Sequence, residues 1–200
     1  RGFVIIDSGE LDPQIKKEIK NYNLKRHKIK IIDSQPIFEY EKKEYGETKL
    51  RINEQSFQEI KKIIIENEFK NILIVLNNVG KAIELYKKLE ENYSEFKVEK
   101  ENLYLLHSRL LEKEKDWRIN DKEKGIKEKL KKLKDKRDKK EQINSNQRLI
   151  LVATQIIEAS VDVDFDILIT EISPIDSLIQ RWGRIYRNRD NIHYPDTASP

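Results

Sequence analysis

Four arginines and no lysine fall between Arg181 and Arg189, although only eleven of the 40 basic residues in the chain are arginine. A lysine-rich sequence that switches to guanidinium marks a place that needs a planar, permanently charged fork, and phosphate is the target that suits it. Just upstream, Asp162, Asp164 and Asp166 bring three carboxylates into one loop. The complementary half of a nucleotide site is missing from the sequence. Six glycines and no Gly-Lys-Ser or Gly-Lys-Thr leave the 200 residues without a Walker A loop. Nor does a strand-borne Asp-Glu pair offer itself to magnesium. The arginines therefore read as half of a site, reaching across an interface as an arginine finger does.

Two apolar runs flank the carboxylate loop, Leu149–Ala153 and Ile167–Thr170, and each reads as a short buried strand. After the second, Ser173 and Asp176 predict a capping box around Pro174 that starts a helix. Ile175, Leu178, Ile179 and Trp182 are expected to pack inward. Gln180, Arg184 and Arg187 follow at i, i+4 and i+7, and share a face only approximately because Gly183 ends or bends the helix.

The same alternation extends back along the chain. Asn53–Glu68 reads as a helix with Phe57, Ile60, Ile64 and Ile65 inward, and Asn71–Leu76 as a buried strand. Val79–Tyr93 reads as a helix with a stripe of Ala82, Tyr86, Leu89 and Tyr93, and Asn102–Leu106 as a further strand. Ile119, Ile126, Leu130 and Leu133 form one narrow seam on a long charged helix that Asn144-Ser145-Asn146 stops. Four or more buried strands with helices between them predict an α/β fold, a parallel sheet covered on both faces. Asn77, His107-Ser108-Arg109, Thr154 and Glu171 each follow a strand, so they gather on the carboxyl rim, where open sheets bind ligands.

The first 50 residues are less regular. Gly2–Ile6 is an apolar run, Asp12-Pro13 opens a helix carrying Ile15 and Ile19, and Lys28–Asp33 and Ile37–Tyr40 are short extended pieces. Leu50–Ile52 can pair back as a hairpin. A linker or domain edge within residues 24–50 and an irregular lobe of the same domain are both open. Residues 1–50 are thus set down as a connecting segment or the edge of a preceding domain, 51–190 as the main domain with a charged helical segment at 112–146, and 191–200 as a tail.

Composition narrows the setting. A net charge of +4 is concentrated in the charged helix, which weakens any inference that the whole surface binds nucleic acid. Most of its lysines read as a solvated face, and Trp117 and Trp182 as core or interface residues. No run approaches the roughly 18 apolar residues of a membrane span. Zero Cys fits a cytoplasmic protein without disulfides or thiolate metal sites. The absence of Met predicts a piece of a longer protein.

The wording of the motifs carries a resemblance. LVATQIIEASVDVDFD resembles motif V of superfamily 2 helicases, and IQRWGRIYR resembles motif VI. Ala-Thr-Gln, then Glu-Ala-Ser-Val-Asp-Val-Asp-Phe-Asp, then Ser-Pro-Ile-Asp is most similar to the CRISPR-associated helicase of type I interference systems, as is Leu105-Leu106-His107-Ser108-Arg109. The likeness spans roughly residues 55–190 and implies the second RecA-like domain of that helicase, a three-layer fold with a mostly parallel sheet. Ser8-Gly9-Glu10-Leu11-Asp12-Pro13 departs from the motif III pattern and is not assigned.

The resemblance implies roles. Arg184 and Arg187 would reach the γ-phosphate of ATP, and Gln180, Asp162 and Ser160 would lie on the nucleotide side. Thr154, Ser108, Arg109, His107 and Asn77 would contact single-stranded DNA, with His107 also placing the strand end. Asp164 and Asp166 read as turn and strand-edge residues. ATP and Mg2+ would be held mainly by a first RecA-like domain of the same protein. Further partners implied are a histidine-aspartate nuclease domain or subunit and the CRISPR RNA-guided effector complex. On this reading the full-length protein is an ATP-dependent helicase and the fragment alone is inactive. Another superfamily 2 DNA or RNA helicase, or a docking module on a degenerate motor fold, are the alternatives.

Overall fold

Ile72 and Ile74 enter one apolar cluster, while Leu73 and Val75, their neighbours in the same strand, enter another. Ile150 and Val152 divide from Leu151 and Ala153 in the same way, as do Ile167 and Ile169 from Leu168. A strand alternates its side chains between faces, so an unbroken run of Ile, Leu and Val must be buried on both. This accounts for the apolar runs seen in the sequence.

The structure, a computed structural model, describes the backbone of residues 2–6, 28–32, 36–42, 48–159 and 161–185 and the side chains of 36–41, 48–159 and 161–185. The strands are β1 (Gly2–Ile6), β2 (Lys28–Ile32), β3 (Phe38–Lys42), β4 (Thr48–Ile52), β5 (Ile72–Val75), β6 (Leu103–Leu106), β7 (Ile150–Ala153) and β8 (Ile167–Glu171). The α-helices are α1 (Glu54–Glu66), α2 (Val79–Glu91), α3 (Glu112–Asn120), α4 (Ile126–Asp138), α5 (Ile156–Ala159) and α6 (Ile175–Trp182). Six strands form one sheet in the order β2-β1-β8-β5-β7-β6, and all its pairings are parallel. The α/β, RecA-like three-layer architecture expected from the sequence is the one observed. β3 and β4 make a separate antiparallel hairpin, with Phe38 opposite Ile52 and Tyr40 opposite Leu50. The expected Asp12-Pro13 helix lies outside the described residues.

On one face α1 and α2 contribute Phe57, Ile60, Ile63, Ile64, Ala82, Leu85 and Leu89 to the core. Asn53 caps α1 by accepting from Ser56 N at 3.1 Å, and Asn78 caps α2 by accepting from Gly80 N at 2.7 Å. Two inward assignments need correction. Ile65 is exposed and Ile63 takes its place, and Leu85 is buried while Tyr93 lies beyond α2 in a 3₁₀ turn. At 100° per residue, Ile63 lies about 60° to one side of Ile60, at the edge of an arc that Ile64 and Phe57 extend about 60° to the other side, whereas Ile65 lies about 80° beyond that far edge.

On the other face the expected single charged helix is two helices, α3 and α4. Asp121 breaks it, accepting from Glu123 N at 2.9 Å and Lys124 N at 2.7 Å, as Asx turns do. Gly125 then starts α4, where a Cβ would lie 2.5 Å from Asp121 O. The seam itself is intact: Ile119, Ile126, Leu130 and Leu133 are all buried. α4 ends at Asp138, with Lys140 at φ 56°, several residues before Asn144. Trp117 is exposed rather than in the core, while Trp182 packs against this cluster. Among the described residues no helix is long and apolar enough to cross a membrane.

Candidate nucleotide and nucleic-acid interface

At the carboxyl ends of β5, β7 and β8 the polar side chains form one connected network, with Arg181 at its centre. Arg181 is 0% exposed. Its Nε donates to Glu158 Oε1 at 2.8 Å, Nη1 to Thr170 Oγ1 at 2.7 Å and Glu171 O at 3.2 Å, and Nη2 to Asn77 Oδ1 at 2.8 Å. Glu171 extends the network, pairing with Lys81 Nζ at 2.6 Å and accepting from Asn77 N at 2.6 Å. Gln155 Nε2 donates to Asn77 O at 2.7 Å. One guanidinium thus ties α6 to α5, to β8 and to Asn77, two residues beyond β5.

The start of α6 differs from the expected capping box. Pro174 is the N-cap residue, and no side chain caps the helix among the described residues. Ser173 Oγ is buried without a hydrogen-bond partner among the described residues. The helix is anchored instead by burial of Leu178 and Arg181, which turns Ile175 and Ile179 outward at 56% and 52% exposure. Placing a guanidinium on the buried stripe rotates the two isoleucines away from the core. Gly183 is the C-cap, its N donating to Ile179 O at 3.0 Å. The chain then forms a bridge to the carboxylate loop, Phe165 N donating to Arg184 O at 3.0 Å.

Gln180 is exposed beside the network, whereas Arg184 is 7% exposed and its Nη2 donates to the Glu158 carbonyl oxygen. Arg187 and Ser160 lie outside the described residues. Asp162 is exposed, Asp164 half-buried and Asp166 fully buried. Asp166 faces the other end of the sheet, accepting from Arg137 Nη1 at 3.0 Å and Nη2 at 2.8 Å and from Asn71 N at 2.7 Å. It is structural, as expected.

The residues expected on nucleic acid separate into two sets. Ser108 and Arg109 are exposed beyond β6. Thr154 is only 2% exposed, with its N bonded to Leu106 O at 3.1 Å. His107 is buried, and its Nδ1 has no hydrogen-bond partner among the described residues. Burial, with Arg118 and Arg109 nearby, holds the His107 imidazole below its ordinary value. Both ends of the Asn77 amide are engaged within the protein, Oδ1 by Arg181 and Nδ2 by Ile172 O at 2.7 Å. Its place at a strand end says nothing of that engagement.

Sequence reasoning missed Arg181, Glu158, Lys81 and Gln155. Arg181 had a visible signal: it lies three residues after Leu178, on the buried stripe of α6. A charge in such a position must find partners inside.

A family model for the C-terminal part of the CRISPR-associated nuclease/helicase Cas3 matches residues 68–190, more than half of the chain. The chain belongs to this Cas3 family. A CRISPR-associated nuclease/helicase Cas3 of Methanothermobacter thermautotrophicus is 46% identical over 173 residues, covering 86% of this chain and 16% of that protein. A Cas3 of Streptococcus thermophilus is 34% identical over 116 residues, or 58% of this chain and 11% of that one. The chain therefore spans a small fraction of the Cas3 proteins it matches. The crystal structure of T. fusca Cas3 superposes with a TM-score of 0.51 at 24% identity, over 69% of this chain and 14% of that chain. That likeness concerns the fold.

Proposed function

We propose that this chain is the second motor domain of an ATP-dependent, DNA-translocating helicase of CRISPR interference. Residues 51–190 carry most of the motor unit, β1 and β2 of the first 50 residues extend its sheet beside β8, residues 112–146 are a charged helical addition to one face, and 191–200 are a tail. The observation that carries the reading is the arginine-bearing end of α6, held at the carboxyl rim by Arg181, in a sequence without a phosphate loop of its own. The exposed side chains of Ser108, Arg109 and Gln180 offer hydroxyl, guanidinium and amide donors that suit a phosphate. Among the described residues no group of three His, Cys, Asp or Glu side chains could hold a metal. In this reading ATP and Mg2+ are held mainly by a first RecA-like domain of the same protein, and ATP supplies the phosphoryl bond whose hydrolysis drives movement.

In this reading Arg184 and Arg187 approach the γ-phosphate when the two domains close, and Gln180 hydrogen-bonds beside them. Arg184 would first leave the Glu158 carbonyl, so closure and release of that bond go together. Asp162 and Ser160 face the nucleotide, while Ser108 and Arg109 contact the backbone of single-stranded DNA. Thr154, His107 and Asn77 support that surface from below. The nuclease domain and the RNA-guided effector complex are the remaining partners. An arginine supplied across an interface is worth about 10³–10⁵ in rate. Arg187→Ala in the full-length protein is expected to abolish DNA-stimulated ATP hydrolysis and leave single-stranded DNA binding largely intact. Retained hydrolysis would refute the finger role, and turnover of ATP by the 200-residue chain alone would refute the half-site.

A further inference from the structure

Of the motif VI arginines within the described residues, Arg181 is the one bonded on all sides of its guanidinium. With 0% exposure and four hydrogen bonds to Glu158, Thr170, Glu171 and Asn77, its guanidinium is committed within the domain. Glu158 has two attachments. Its carboxylate holds Arg181 Nε, and its carbonyl oxygen accepts from Arg184 Nη2. Glu158 belongs to the single turn α5, whose start is joined to the end of β7 by Ile157 N donating to Thr154 O at 3.2 Å. A short covalent and hydrogen-bonded path therefore runs from Thr154, at the strand end next to the proposed DNA surface, through Glu158 to Arg181 and Arg184.

We propose that Arg181 is a positioning residue, and that its pair with Glu158 couples the strand end at Thr154 to the placement of Arg184. The inference rests on the motor reading given above. Arg181 sets where the Glu158 carbonyl lies, and that carbonyl sets where Arg184 waits before closure. A planar fork is required, because the three donors of a lysine ammonium radiate from one atom and cannot replace the four bonds that Nε, Nη1 and Nη2 make. A reacting arrangement displaced by about 1 Å can lose on the order of 10²-fold in rate.

The test uses full-length protein with Arg181→Lys, Glu158→Gln, both together, and Arg187→Ala alongside. Readouts are kcat and KM for ATP with saturating single-stranded DNA, the DNA Kd and the melting temperature. For each single variant kcat is expected to fall roughly tenfold to 10²-fold, while KM and DNA Kd stay within about twofold. The double variant should lose no more than the worse single one, as expected for two ends of one interaction. Wild-type kcat in folded Arg181→Lys, or losses that multiply in the double variant, would overturn the proposal. Glu158→Gln keeps side-chain shape and decides the matter if Arg181→Lys does not fold: full kcat there overturns it. Loss of turnover in Arg187→Ala with none in the other variants overturns the positioning role alone. Retained turnover in Arg187→Ala overturns the finger reading, and the positioning role with it.

Discussion

Arg137 and Asp166 meet through two parallel N–H···O bonds of 3.0 and 2.8 Å, with the Asp166 side chain fully buried and Arg137 nearly so. The pair joins the end of the charged helix α4 to the start of β8, and Arg137 Nη2 also donates to Phe69 O at 3.2 Å. A bidentate fork of this kind is how a buried carboxylate is tolerated.

Removing one partner should therefore cost more than an average substitution. Arg137→Ala leaves Asp166 buried without its cation and is expected to destabilise the chain by about 3–5 kcal/mol. Chemical unfolding measures this. A loss below about 1 kcal/mol would mean that the pair compensates nothing.

Arg148 carries the second buried cation prediction. At 1% exposure it donates to Ile64 O and Asn67 O, both at 2.8 Å, and to Phe96 O. Burial pushes its guanidinium down to about 10, so it stays charged at neutral pH. Arg148→Met keeps much of the volume and strands carbonyls at the end of α1, for an expected loss of roughly 3 kcal/mol. The unfolding midpoint of the variant reports it.

Gly125→Ala distinguishes a clash from an entropy gain. Its φ of −67° suits alanine, and a stiffer unfolded chain alone would stabilise by about 0.4–1 kcal/mol. The added Cβ, however, would meet Asp121 O at 2.5 Å and Asp121 N at 2.6 Å, both backbone atoms. Destabilisation by about 1–3 kcal/mol is expected. A raised melting temperature would show that the turn yields.

The imidazole of His107 gives a pH dependence. Its folded value lies below the ordinary 6.5, first through burial and then through Arg118 and Arg109. The unfolded chain thus binds the proton first as pH falls. Stability from this group is complete above the unfolded value, declines as pH drops toward the folded value, and levels off below it. His107→Gln should flatten the stability profile where pH falls through and below about 6.5. An unchanged slope in urea-unfolding midpoints across that range would remove His107 as its source.

The sheet and its two covering layers were legible in the residues themselves. Runs such as Asn71–Leu76 alternate between two buried faces, and the seam Ile119, Ile126, Leu130, Leu133 kept its inward side even though the helix breaks at Asp121. Both signals are local periodicities, and burial acts on every member of a period. The wording of the last quarter also placed the chain in its family. Position marked Arg181 as inward, three residues after Leu178, but what sets it apart from Arg184, the same residue type and also buried, was not legible. Their difference arises from Glu158, Thr170 and Asn77, which are brought together only when β5, β7 and β8 lie side by side. The same holds for Arg137 with Asp166 and for Arg148 with the end of α1. A buried charge is accepted only where its partners converge, and that convergence belongs to the tertiary structure. The sequence by itself determined the layers and the family. The fold decided that Arg181 holds the helix, and how Arg184 waits beside it.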